Sequence, residues 1–195
     1  MRLFVALDID DAVRSRIARF LDGVRGFAPD ARWARPESLH VTLKFIGERP
    51  EEAAENIKRA LETIEAGRFE MTFRGYGFFP SARLPRVFCV GIEGAQKLTS
   101  LAATVDEALA RLDIPKEEHA FNPHLTLARG ASSPRRKGDH PNRSFQHLQE
   151  RLAALPTLEL GAMTSHEFFL YRSQLSPSGS TYTKLAGFAL QPAGN

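Results

Sequence analysis

Two short stretches of the chain alternate polar and apolar side chains in the same order. In His40-Val41-Thr42-Leu43-Lys44-Phe45-Ile46-Gly47, strand geometry sends successive side chains to opposite faces. His40, Thr42 and Lys44 then share one face, and Val41, Leu43 and Phe45 the other. The apolar face suits a core. The polar face holds a proton carrier, a hydroxyl and a cation, none of which stabilises a core. His124-Leu125-Thr126-Leu127 repeats the pattern at an offset of 84 residues (124 − 40).

The rest of the pattern reads as mixed strands and helices. Residues 4–9 form an apolar strand, and Asp10 and Asp11 can cap a helix that begins near Ala12. Val13, Ile17, Phe20, Leu21 and Val24 recur at helical spacing until Gly26 and Pro29 break it. Trp33 and Pro36 lie in an extended connection, and Gly47 and Pro50 close the first His strand. A helix over 51–65 carries Ala54, Ile57, Leu61 and Ile64 on one stripe. A strand follows at 69–73, then a Gly-rich turn and a strand segment at 75–80. Residues 86–92 repeat the opening strand. The next helix has Leu98, Leu101, Val105, Ala108, Leu109 and Leu112 on its apolar side. Pro115 marks a turn before the second His strand. A basic loop over 135–143, a short helix over 145–155 and strands at 158–160, 167–171 and 182–188 complete the chain.

Phe4/Phe88, His40/His124 and Thr42/Thr126 share the offset of 84, which points to an internal duplication. Strands and helices mix without a strict βαβ rhythm. The expected fold is therefore α+β: one domain over 1–195, bilobal, with pseudo-repeats of roughly 1–84 and 85–195. Antiparallel-rich sheets would form a central cleft at a pseudo-twofold axis, with the helices outside.

Composition narrows the function. A content of 43% hydrophobic and 25% charged residues is that of an ordinary globular protein. No apolar run approaches the ~20 residues of a membrane span, and the opening strand is too short and too soon acidic for a secretory signal. A single cysteine, Cys89, excludes an internal disulfide and sits among apolar neighbours, so a cytoplasmic location is expected. The net charge of +3 permits a phosphate-bearing partner without demanding one. There is no His-Glu-x-x-His, no cysteine pair and no aspartate cluster at ligand spacing, so neither metal nor cofactor is expected. No Gly-x-x-x-x-Gly-Lys loop is present, which argues against an ATP-driven ligase.

If both polar faces meet in one cleft, two imidazoles and two hydroxyls converge. Splitting a phosphodiester needs a nucleophile deprotonated on one side of phosphorus and a leaving oxygen protonated on the other. An opposed pair of histidines can do both near neutrality. Thr42 and Thr126 can donate to the non-bridging oxygens as charge builds there. A lone histidine of this kind is more often structural; two in matched register favour catalysis. His119, His140, His147 and His166 lack such a pattern and are expected at the surface.

The paired His-x-Thr-x stretches resemble those of the two-histidine (2H) phosphoesterases. Leu3-Phe4-Val5-Ala6-Leu7, the approach from Trp33 to Leu39, Gly77-Phe78-Phe79-Pro80 and Leu170-Tyr171-Arg172-Ser173 look like the RNA 2′,3′-cyclic phosphodiesterase (2′-5′ RNA ligase) branch. The resemblance spans nearly the whole chain. It implies metal-independent hydrolysis of a terminal 2′,3′-cyclic phosphate to a 2′-phosphate, with His40 as general acid and His124 as general base, and reversible 2′-5′ ligation as a second activity. The expected partners are RNA ends bearing the cyclic phosphate, fragments of transfer RNA among them, and a monomer that does not engage a membrane is expected. The resemblance also suggests that Phe45 stacks a nucleobase. Alternation instead places Phe45 opposite His40 unless the strand bulges there. Arg129 likewise falls off the His124 face but near the strand end, from which it could curl back to the substrate. Lys44 shares the His40 face and could meet phosphate. Trp33 reads as a packing residue. Two rival readings are a 2H enzyme for a small cyclic nucleotide and a non-catalytic RNA- or nucleotide-binding module. Retention of both histidines and both threonines disfavours the second.

Overall fold

A computed structural model describes residues 1–130, 145–176 and 179–192. The basic segment 135–143 lies outside the described residues. The chain forms strands β1 (Arg2–Asp8), β2 (Arg32–Trp33), β3 (His40–Glu48), β4 (Phe69–Phe79), β5 (Val87–Glu93), β6 (His124–Arg129), β7 (Glu159–Ser165), β8 (Glu167–Ser176) and β9 (Gly179–Ala189). Helices α1 (Asp11–Val24), α2 (Ala53–Glu62), α3 (Gln96–Ala110) and α4 (Gln146–Ala153) pack around them.

Two antiparallel sheets result, ordered β3-β1-β8-β9 and β2-β6-β5-β4-β7. Each draws strands from both halves of the sequence. β4, from the first half, pairs with β5, while β8, from the second, pairs with β1. The α+β class and antiparallel pairing agree with the alternation of the strands.

β1 has two buried faces. Leu3, Val5 and Leu7 enter the main core, where they meet Val41, Leu43 and the helices. Phe4 and Ala6 point the other way and join Phe169 and Tyr171 in a second, smaller cluster. In α1 the side chain of Asp10 accepts the Val13 N–H at 2.7 Å, and Val13, Ile17, Leu21 and Val24 are buried at the expected spacing. Trp33 packs edge-on to Phe88 and donates its indole N–H to the Ala28 carbonyl, as a packing residue would.

Two local expectations need correction. Residues 69–79 form one strand rather than a strand, a turn and a segment. The pairing with β5 slips between Phe73 and Tyr76, and Gly75 takes a left-handed φ of 69°, so glycine permits a bulge where a turn was expected. Phe4 and Phe88 also fail to correspond. Thr42 lies opposite Ala6 and Thr126 opposite Cys89, so the opening strands align at an offset of 83 (89 − 6), not 84. Phe88 accordingly points into the main core while Phe4 lines the other face.

Candidate active site

β3 and β6 lie alongside each other where the two sheets meet, which brings the two His strands together. Each imidazole is anchored in the same way. His40 Nδ1 lies 2.8 Å from the Ser38 carbonyl, and His124 Nδ1 lies 2.8 Å from the Asn122 carbonyl. A carbonyl only accepts, so Nδ1 carries the proton in both rings and Nε2 is left to the site. The paired spacing Ser38/His40 and Asn122/His124 was present in the sequence, but backbone carbonyls leave no side-chain signal.

The rings differ in their surroundings. His40 is enclosed by Phe4 (centroids 4.9 Å apart), Tyr182 (5.0 Å, edge-on) and Tyr171 (6.2 Å), whereas His124 packs on Phe79 at 5.0 Å. Burial beneath these rings depresses the His40 pKa below its ordinary value; the Ser38 carbonyl and the charge of Asp8 oppose that fall, and the charge of Arg129 adds to it. The same seclusion raises the Tyr171 phenol, which stays neutral.

Matching bulges decide what else reaches this face. Opposite β1, the register runs Asp8↔His40, Ala6↔Thr42, Val5↔Lys44 and Phe4↔Phe45, so Leu43 is an extra residue on β3. Opposite β5 it runs Gly91↔His124, Cys89↔Thr126, Phe88↔Ala128 and Val87↔Arg129, so Leu127 is the extra residue on β6. Beyond each bulge the alternation reverses. Phe45 therefore joins His40 and Thr42 on the face of Phe4 and is 53% exposed, 6.1 Å from the Phe4 ring. Arg129 takes the equivalent place beyond His124 and Thr126, and its charge is felt at His40. Both threonines are half-buried on the histidine faces.

The same reversal corrects the placement of Lys44. It does not share the His40 face. It is only 3% exposed and turns inward, where Nζ meets Asp106 of α3 at 2.6 Å, Glu117 at 3.4 Å and the Pro115 carbonyl at 2.6 Å. A cation so engaged joins β3 to α3 rather than meeting a phosphate.

A cavity of about 230 Å³ opens beside His40, lined by Asp8, Glu37, Ser38, Tyr171, Tyr182 and Lys184 among others. Asp8 accepts from Arg14 and Lys184, each at 2.7 Å, and from the Ile9 N–H. Burial works to raise its pKa, but these hydrogen bonds outweigh burial and hold the carboxyl below the usual range. Sequence reasoning missed Asp8, Phe79, Tyr171 and Tyr182. Alternation along β1 would have placed Asp8 with Phe4, but Asp8 read only as the polar end of an apolar strand. Of the remaining histidines, His119, His147 and His166 are exposed; His140 lies outside the described residues. Cys89 is buried, and its thiol is pushed up to about 11 by that burial. Among the described residues, no group of three or more His, Cys, Asp or Glu side chains is placed to hold a metal ion, and no helix is long and apolar enough to cross a membrane.

The profile described as "LigT like Phosphoesterase" matches the chain twice, over residues 7–89 and 90–182. An RNA 2′,3′-cyclic phosphodiesterase of Methanothermobacter thermautotrophicus is 31% identical over 192 residues, covering 97% of this chain and 99% of the relative. One of Thermus thermophilus is 35% identical, covering 98% and 91% respectively. Among solved structures, E. coli LigT complexed with 3′-AMP superposes with a TM-score of 0.76 at 26% identity, covering 97% of both chains.

Proposed function

The chain belongs to the LigT-like phosphoesterases, and from that premise we propose that it opens RNA 2′,3′-cyclic phosphates without a metal, using His40 as general acid and His124 as general base. The observation that carries this reading is the pair of imidazoles on adjacent strands, each held through Nδ1 by a carbonyl two residues upstream. In the proposed step, His124 Nε2 takes a proton from water as the water oxygen bonds to phosphorus. The bond from phosphorus to O3′ breaks on the far side, and His40 Nε2 delivers a proton to that oxygen, leaving a 2′-phosphate. Burial disfavours the imidazolium of His40 in the empty site, and a bound phosphate anion restores it by direct charge pairing. Thr42, Thr126 and Arg129 stabilise the non-bridging oxygens, while Phe45 offers an exposed ring for a base to stack on.

A 5′-hydroxyl in place of water gives a 2′-5′ linkage by the same proton transfers, and the reverse reaction cleaves it. The names of the relatives support RNA as substrate. An RNA substrate and one buried free cysteine fit work in the cytoplasm, and we take the working unit to be the monomer.

Turnover of a 2′,3′-cyclic-phosphate oligonucleotide by His40→Ala and His124→Ala tests this reading. Each variant loses about 10²–10⁴-fold in kcat, and the double variant is little worse than the worse single one, because the pair acts as a unit. A folded single variant that kept near-normal turnover would make that histidine structural.

A further inference from the structure

The two histidines share an anchor but not a setting. Arg14, from the first turn of α1, is 20% exposed and spends its donors inward. Its Nη1 reaches the Pro36 carbonyl at 2.5 Å, and its Nη2 reaches Asp8 Oδ1 at 2.7 Å and the Ile9 carbonyl at 2.8 Å. Pro36 opens the short 3-10 turn Pro36–Ser38, and Ser38 is the residue whose carbonyl fixes His40 Nδ1. Asp8, the other partner of Arg14, lies directly across the β1–β3 pair from His40. At the second motif the residue across from His124 is Gly91. No side chain fits there, since a Cβ would stand 2.8 Å from the Arg74 carbonyl. A carboxylate therefore stands opposite one imidazole, and bare backbone opposite the other.

We propose that Arg14 and Asp8 are positioning residues for His40: Arg14 holds the turn that orients the ring, and the Asp8 carboxylate, which has no counterpart opposite His124, favours the imidazolium from which His40 gives its proton. The proposal rests on the acid–base reading above. The charged or titratable groups around His40 are Asp8 on β1, Glu37 on the turn, Arg129 on β6, Tyr171 on β8, and Tyr182 and Lys184 on β9. Asp8 opposes the effects of burial and of Arg129 on the imidazolium. Lys184 tempers Asp8 by pairing with its second oxygen at 2.7 Å.

Histidine-labelled protein followed by NMR, without substrate, separates the two histidines and gives both the titration midpoint and the tautomer of each. Asp8→Asn removes the negative charge, so His40 gives up its proton at lower pH while His124 keeps its midpoint. The alkaline limb of the kcat profile moves to lower pH with it, and kcat falls roughly 10-fold. Lys184→Met, at a position 46% exposed, moves the His40 midpoint the opposite way and supplies the test should Asp8→Asn fold poorly. Arg14→Met releases the turn, so the neutral His40 ring no longer holds a single Nδ1–H tautomer, and Arg14→Lys restores part of that preference. Movement of both histidines alike, or an unmoved His40 in Asp8→Asn and Lys184→Met, overturns the electrostatic role. An unchanged tautomer in Arg14→Met overturns the clamp. Because these signals are read without turnover, inactivity of the wild-type protein would count against the proposed function and leave this test intact.

Discussion

With Nδ1 of each imidazole committed to a carbonyl, Nε2 is the only ring atom left for chemistry at either histidine. Such an anchor selects one tautomer and one ring orientation before any substrate arrives. Thr42 and Thr126 follow two residues later on the same faces, which suits donors for oxygens that gain charge in the transition state. Replacement of either by valine keeps its shape and removes the hydroxyl. In steady-state kinetics on a cyclic-phosphate oligonucleotide, each replacement should lower kcat by roughly 10–10³-fold, less than loss of a histidine. A raised KM at unchanged kcat would instead assign the hydroxyl to ground-state binding.

At the scale of the element, the bulges at Leu43 and Leu127 control the composition of the site. Each reverses the alternation once, burying Lys44 or Ala128 and presenting Phe45 or Arg129. His40, Thr42, His124 and Thr126 were legible in the sequence because they precede the bulge, where simple alternation holds. Lys44, Phe45 and Arg129 were not, because no residue type marks Leu43 or Leu127 as an extra position. The partner strand's register decides it, and that register is a long-range property. The inward turn of Lys44 has an energetic consequence. Asp106→Ala would leave a buried ammonium without its nearest carboxylate, at a cost of about 3 kcal/mol in urea unfolding. Lys44→Met should cost clearly less, because Asp106 and Glu117 both reach water. Equal losses for the two would mean that side-chain packing, not the charge pair, holds β3 to α3.

For the whole molecule, alternation and helical spacing were enough to indicate the class and most elements, whereas the exchange of strands between halves was not visible. Nothing in the composition of β4 or β8 says which sheet it joins. The fold also imposes a pH dependence on stability. His40 has its pKa lowered by burial, so below the ordinary 6.5 the unfolded chain takes up a proton that the native state resists. Stability present above that pH is therefore lost as pH falls through the lowered native value. Asp8, lowered by its hydrogen bonds, adds a second loss below about 3.8. Urea midpoints should fall on acidification from pH ~7 to ~5, and less steeply in His40→Asn. A midpoint that rose over this range would contradict the sign assigned to His40.

In the proposed reaction the two imidazoles carry both proton transfers, without a metal, and the cyclic phosphate opens on the O3′ side. The most direct test is to incubate the protein with a 2′,3′-cyclic-phosphate oligonucleotide in excess EDTA and follow the phosphorus signal of the product. Turnover should be undiminished, with a 2′-phosphate as the only new terminus. Loss of turnover restored by a divalent cation, or a 3′-phosphate product, would contradict the proposed reaction.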